Sequence, residues 1–172
     1  MELLRSRGAA EVAHPGGTLL VHLIRVSEQL AAWGAPADVQ AAGLCHAAYG
    51  TDGFRSSLLS LDERPTLAEV IGGDAEELVY LYGSCDRAAT YPQLSTAARP
   101  VFRDRFTGLE RTPGDDQVDA FVEITAANEL DVFAHDPQLA ARYGPELHEL
   151  LAASRERLSA AAWAAVQHDL GG

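Results

Sequence analysis

Three histidines in the first third of the chain, His14, His22 and His46, are of a type and spacing that could hold a metal ion. Neutral imidazole is the commonest protein ligand for divalent transition ions, and such a site needs donors brought together by rigid elements. His22 shares a helical face with Leu19 and Val26, and His46 shares one with Ala42 and Tyr49, so both side chains point inward. In an antiparallel hairpin turning at Ala35, His22 lies thirteen residues before the turn and His46 eleven after it. At about 1.5 Å rise per residue their heights differ by only about 3 Å, and the two rings face each other. A pair of hydrogen-bonded core histidines is the competing reading. His14 would be about 12 Å from His22 on a continuous helix, but Pro15-Gly16-Gly17 breaks the helix and lets it fold back. It reads as a ligand, a group supporting one, a proton shuttle or a surface histidine.

Other residues could complete such a site. Asn128 shares a helical face with Phe121, Thr125 and Val132, and Glu129 sits beside it, so a carboxamide and a carboxylate could approach the histidines from late in the chain. Tyr49 and Thr51 flank Gly50 directly after His46 and are candidate hydrogen-bond donors to a substrate. Arg87, Arg99, Arg103 and Arg105 form the densest basic run, and guanidinium forks match phosphate or carboxylate. Arg87, Arg103 and Arg105 are therefore candidate substrate-binding residues, against a loop neutralised by its own Asp86 and Asp104. Ser84-Cys85-Asp86 lacks the strand-turn-helix context of a nucleophile elbow. His135, His148 and His168 lie among polar residues and read as surface side chains.

The elements that must position these residues are helical. Leu19, Leu23, Val26 and Leu30 recur at spacings of three and four behind Thr18 in N-cap position, predicting a helix over 18–33 that ends at Gly34-Ala35-Pro36. A second helix is expected over 37–49, closed by the Gly50 to Gly53 turn, and further helices over 67–71, 75–82, 117–133, 137–143 and 145–167. Nothing alternates at period two. The stretch 86–116, with Pro92, Pro100 and Pro113, reads as a long functional loop with at most a short helix over 101–106. The expected fold is a compact all-α bundle in a single domain over 1–172, with its core over about 10–133 and C-terminal helices over 137–168.

Composition narrows the function. The chain has 172 residues, 47% hydrophobic and 22% charged, enough for one core. A formal charge of -12 opposes contact with nucleic acid or an anionic membrane. All 13 basic residues are arginines, which excludes a lysine nucleophile, a Schiff base and a lysine-bearing phosphate loop. Cys45 and Cys85 form no CxxC pair and are expected as free thiols. With no signal-like segment and no run of about 20 apolar residues, a cytoplasmic location is expected. An apolar face over 145–167, with Leu147, Leu150, Leu151, Leu158 and Trp163, could serve a homodimer or pack on the chain's own core.

His22, His46 and the late Asn128-Glu129 together resemble the HD superfamily, whose members carry an early His, a His-Asp pair on the next helix and a late Asp. The stretch LAEVIGGDAEELVYLYGSCDR is similar to a region of bacterial alarmone hydrolases, and the motifs H-x-G-x-T-L-x-x-H-L and H-x-x-Y-G-T, matched from His14 to Thr51, resemble an uncharacterised HD-like family. The resemblance spans roughly residues 10–133. It implies an HD-like metal-dependent enzyme, with His14, His22 and His46 as ligands of zinc, manganese or iron and Glu129, Tyr49 and Thr51 as catalytic candidates. Arg87, Arg103, Arg105 and Asn128 would face a small phosphorylated or otherwise anionic substrate. The chain departs from the HD pattern where Ala47 follows His46 and where Asn128 or Glu129 replaces the late Asp. That departure leaves a metal held mainly by histidines. It keeps two alternatives open: a redox-metal oxygenase using iron or copper on a small molecule, and a degenerate domain that binds a ligand or partner without turnover.

Overall fold

A computed structural model describes residues 1–54 and 56–171. The predicted helices over 18–33 and 37–49 form as α2 (Leu19–Ala32) and α3 (Ala37–Cys45), preceded by a short α1 (Glu2–Ser6). Thr18 caps α2 by accepting from the Val21 N–H. Leu19, Leu23, Val26 and Leu30, the predicted stripe, are all fully buried. The two helices approach so closely that a Cβ on Gly43 would lie 2.2 Å from Leu30 Cδ1.

α3 ends four residues earlier than expected. At Cys45 the chain tightens into successive turns, with Ala48 N–H donating to Cys45 O and Gly50 N–H to Ala47 O. These bonds reach back three residues, so the segment leaves the α-helical path before Tyr49.

α4 (Arg64–Ile71) and α5 (Gly73–Ser84) follow, each longer than the predicted 67–71 and 75–82. Two expectations for 86–116 are corrected. Its first part is a helix, α6 (Arg87–Leu94), capped by the Asp86 side chain on the Ala89 N–H, and Pro92 sits inside it. The segment 101–106 is not helical: Phe102–Arg103 pairs antiparallel with Glu110–Arg111. Ala13–His14 pairs in the same way with Gly17–Thr18. Each ladder is two residues per strand, too short to leave a period-two pattern.

α7 (Asp115–His135) runs through the middle of the bundle, packing on α2, α3, α5, α8 and α9. α8 (Pro137–Ala153) passes straight through Pro145, where the sequence predicts a break, and the chain turns only before α9 (Ala160–Leu170). The hydrogen bond that Pro145 cannot donate would have gone to the Ala141 carbonyl, and both residues are exposed, so water can satisfy it. The result is a compact, mostly helical fold, with nine α-helices among the described residues. No helix among them is long and apolar enough to cross a membrane. Leu147, Leu151 and Leu158 of the apolar C-terminal face are buried in the chain's own core, and Leu150 lines a cavity. Both cysteines are buried free thiols.

Candidate functional site

The folded chain brings the three histidines together. Gly16 and Gly17 adopt positive φ (76° and 134°), turning the chain sharply after His14. At Gly16 a side chain would also meet the His135 ring at 2.3 Å, so this tight loop needs glycine. The turn stacks His14 on His22, ring centroids 4.0 Å apart and 25° from parallel. The α2–α3 hairpin then sets His46 edge-on to His22 at 5.3 Å. The far side of His46 rests on Tyr82 of α5.

His22 is fully buried, and α7 meets both of its ring nitrogens. Nδ1 donates to Asp131 Oδ2 at 2.6 Å, and Nε2 lies 3.0 Å from Asn128 Oδ1. Arg25, one turn beyond His22, also donates to Asp131 and ties the His14 loop through the Pro15 and Gly16 carbonyls. Burial alone would push the Asp131 carboxyl up, but hydrogen bonds from His22 and Arg25 outweigh it and hold the group at about 2. The sequence reading missed Asp131 and Arg25. Their signal was spacing: Asp131 is one turn after Asn128, and Arg25 one turn after His22.

His14 and His46 are both held neutral. Burial, reinforced by neighbouring His22, lowers His14 to about 4 and His46 to about 3. His46 Nδ1 donates to Gly43 O, which leaves a lone pair on Nε2. His14 Nδ1 is buried without a hydrogen-bond partner. The Asn128 amide is oriented by its Nδ2 donating to Glu129 Oε1, so its oxygen is the atom that faces His22 Nε2. With the His22 hydrogen spent on Asp131, two acceptors confront each other unless a second proton or a cation lies between them. Two neighbouring ligands at about 2.1 Å from one ion lie about 3 Å apart, so these two atoms fit a metal. In other respects the cluster does not close. His14 and His22 are stacked rather than converging, and among the described residues no three His, Cys, Asp or Glu side chains are grouped to hold an ion. A bound ion would require His14 to swing away from the stack.

His14, His46, Ala47, Thr51, Arg87, Asn128 and Glu129 line the inner end of a cavity of about 1010 Å³. Val132 and Phe133 on α7 and Leu139, Leu147 and Leu150 on α8 give it an apolar wall, edged on α8 by Glu146 and Glu149. His22 lies behind this surface. Glu129 accepts from Arg87 Nη1 at 2.9 Å and from Asn128, so Arg87 faces the cavity already paired.

Three expected substrate-facing residues stand elsewhere. The Tyr49 hydroxyl donates to buried Glu76 at 2.8 Å, because the early end of α3 swings it toward α5. Burial, and then that bond, raise the Tyr49 phenol far above its usual range. Arg103 is more than half exposed and only 3.9 Å from Asp86, and Arg105 donates to the Gly83 carbonyl and stacks on Phe106. The arginine run thus contributes one side chain, Arg87, to the cavity: the 102–111 hairpin carries Arg103 and Arg105 away, and Arg99, ahead of it, is outside the lining as well.

Residues 3–87, just under half the chain, match the model of a family described as a domain of unknown function (DUF6817). That span contains His14, His22, His46, Thr51 and Arg87, and stops short of α7. No curated protein and no solved structure matches the chain.

Proposed function

We propose that the chain is a metal-dependent enzyme on an HD-like helical scaffold, holding a divalent transition ion among His14, His22, His46 and Asn128 and hydrolysing a small molecule seated in the cavity. The observation that carries this reading is the meeting of three imidazoles beside a cavity large enough for a substrate: His14 and His46 line its polar end and are neutral, His14 has a buried, unpartnered nitrogen, and His22 lies directly behind them. When bound, such an ion supplies a polarised water and a Lewis acid. Asp131 fixes the His22 ring through Nδ1, as carboxylates commonly do behind a ligand histidine. Glu129 offers a carboxylate that can take a proton from water, its position set by Arg87 and Asn128. Ala47 provides no carboxylate beside His46, so this proton acceptor comes from α7. Thr51 presents a hydroxyl to the substrate.

Elemental analysis of protein purified without a histidine tag tests the reading. Near-stoichiometric zinc, manganese or iron in wild type, lost in His14→Ala/His46→Ala, supports it. Glu129→Gln should then keep the metal and lose turnover on a panel of esters, amides and phosphate esters. Iron accompanied by oxygen uptake would redirect the chemistry to the redox alternative.

A second reading, a ligand-binding domain without turnover, is favoured by the stacking of His14 on His22, which keeps the rings from converging, and by Ala47. No metal in wild type even after reconstitution, together with a ligand in the cavity, would select it.

A further inference from the structure

We infer that the cavity selects an uncharged amphipathic molecule, its polar head at the His14 and Glu129 end and its apolar body along the α7–α8 wall, in preference to a phosphate ester. The inference deepens the reading above, since it names the occupant of the same cavity. It rests on how charge and apolar surface are distributed around that space.

Arg87 is the one arginine among the described residues lining the cavity, and its charge is matched by Glu129 at 2.9 Å. Glu146 and Glu149 add two further carboxylates to the lining. In the metal-free chain, a phosphate entering this space would have to displace Glu129 from Arg87 and lie close to a displaced carboxylate, a like-charge contact that costs more than it gains. Phosphate sites use several unpaired cations or a ring of backbone N–H groups. Here Arg103 and Arg105 lie outside the lining.

The apolar part is equally specific. Val132, Phe133, Leu139, Leu147 and Leu150 make a continuous wall from two packed helices, and Phe54 and Leu19 also line the cavity. Pockets with mostly apolar walls and a few convergent polar groups bind molecules of matching polarity. The head group would meet acceptors and donors of both kinds: the Thr51 hydroxyl, the Glu129 carboxylate and the His46 lone pair. Tyr91 also lines the cavity, and its hydroxyl is buried without a hydrogen-bond partner among the described residues. Leaving such an atom unpaired is costly, so a head group that reaches it gains that bond. A carboxamide, ester or alcohol on an apolar chain or ring has this chemistry.

The test uses the full chain stripped of metal by a chelator, with N-phenyl-1-naphthylamine as an uncharged fluorescent probe. The probe should bind one per chain. Decanamide should displace it, while AMP and inorganic phosphate at millimolar concentration should not. Leu139→Asp and Leu150→Asp, both at partly exposed positions, should weaken probe and decanamide binding about tenfold or more, since each buries a charge against the ligand, with the melting temperature held. Thr51→Val should weaken decanamide more than the probe. Displacement by AMP or phosphate, or unchanged binding in both aspartate variants, overturns the inference. Because no metal is present, this result is independent of the elemental analysis: the metal reading can fail with the ligand class upheld, and the reverse.

Discussion

Charge at the histidine cluster is governed by burial, and that makes stability depend on pH. His46 is lowered from 6.5 to about 3 in the folded chain, first by burial and then by His22. As pH falls through 6.5 the unfolded chain takes up a proton that the folded chain refuses, so stability is full above 6.5 and falls toward 3. In metal-free protein, urea denaturation should show a loss of about 2 kcal/mol between pH 6.5 and 5 from this residue, with half-buried His14 adding in the same direction. His46→Gln should flatten the slope whatever it does to the absolute value; an unchanged slope would reject burial as the cause. Asp131 acts lower, because its carboxyl is held at about 2 and its contribution is lost only as pH falls below its ordinary 3.8. Asp131→Asn should destabilise the chain by about 3 kcal/mol in the same assay, since it leaves Arg25 and His22 facing a neutral amide. The three histidines were legible in the sequence because two lie on apolar stripes and the third follows from a glycine turn. Asp131 was not, since a carboxylate one turn beyond a candidate looks like any solvated helix residue until α7 is seen to press it against α2.

At the scale of elements, α2 and the C-terminal cap of α3 carry two of the histidines, and these two extensively packed helices approach most tightly at Gly43. Gly43→Ala would place a methyl group 2.2 Å from the buried Leu30 side chain. The helices must then spread or Leu30 must leave its rotamer, at a cost of about 1–3 kcal/mol. The expected result is a lower melting temperature, relieved by a companion Leu30→Val; no relief would mean that the strain lies elsewhere. Helices with strong apolar periodicity and a clear cap were readable, as Leu19 to Leu30 behind Thr18 shows. Segments rich in proline were not. Pro92 sits within α6 and Pro145 within α8, because proline removes one bond and the neighbouring packing supplies the rest. The 102–111 hairpin was missed for a related reason: two paired residues per strand are fixed by the Cys85 to Asp104 bridge and the turn at Gly108, not by a pattern of their own.

The cavity belongs to the whole molecule. One wall comes from residues within 3–87 together with α6 and the other from α7 and α8, so no single segment encodes it. Its existence depends on what the side chains leave unfilled, which composition and periodicity do not report. The missing rung in α8 leaves one turn of that wall held by fewer backbone bonds than its neighbours. Ala141 has no amide partner at Pro145, so the turn before it, with Leu139 and Tyr143, is latched by fewer bonds than the turns after, where Leu147 and Leu151 are buried. Amide deuterium uptake should therefore be faster across 140–144 than across 148–152, and a molecule lodged against Leu139 should slow the first stretch most. Slower exchange in the first stretch than in the second would show instead that the missing bond leaves this turn of α8 as firmly held as the rest.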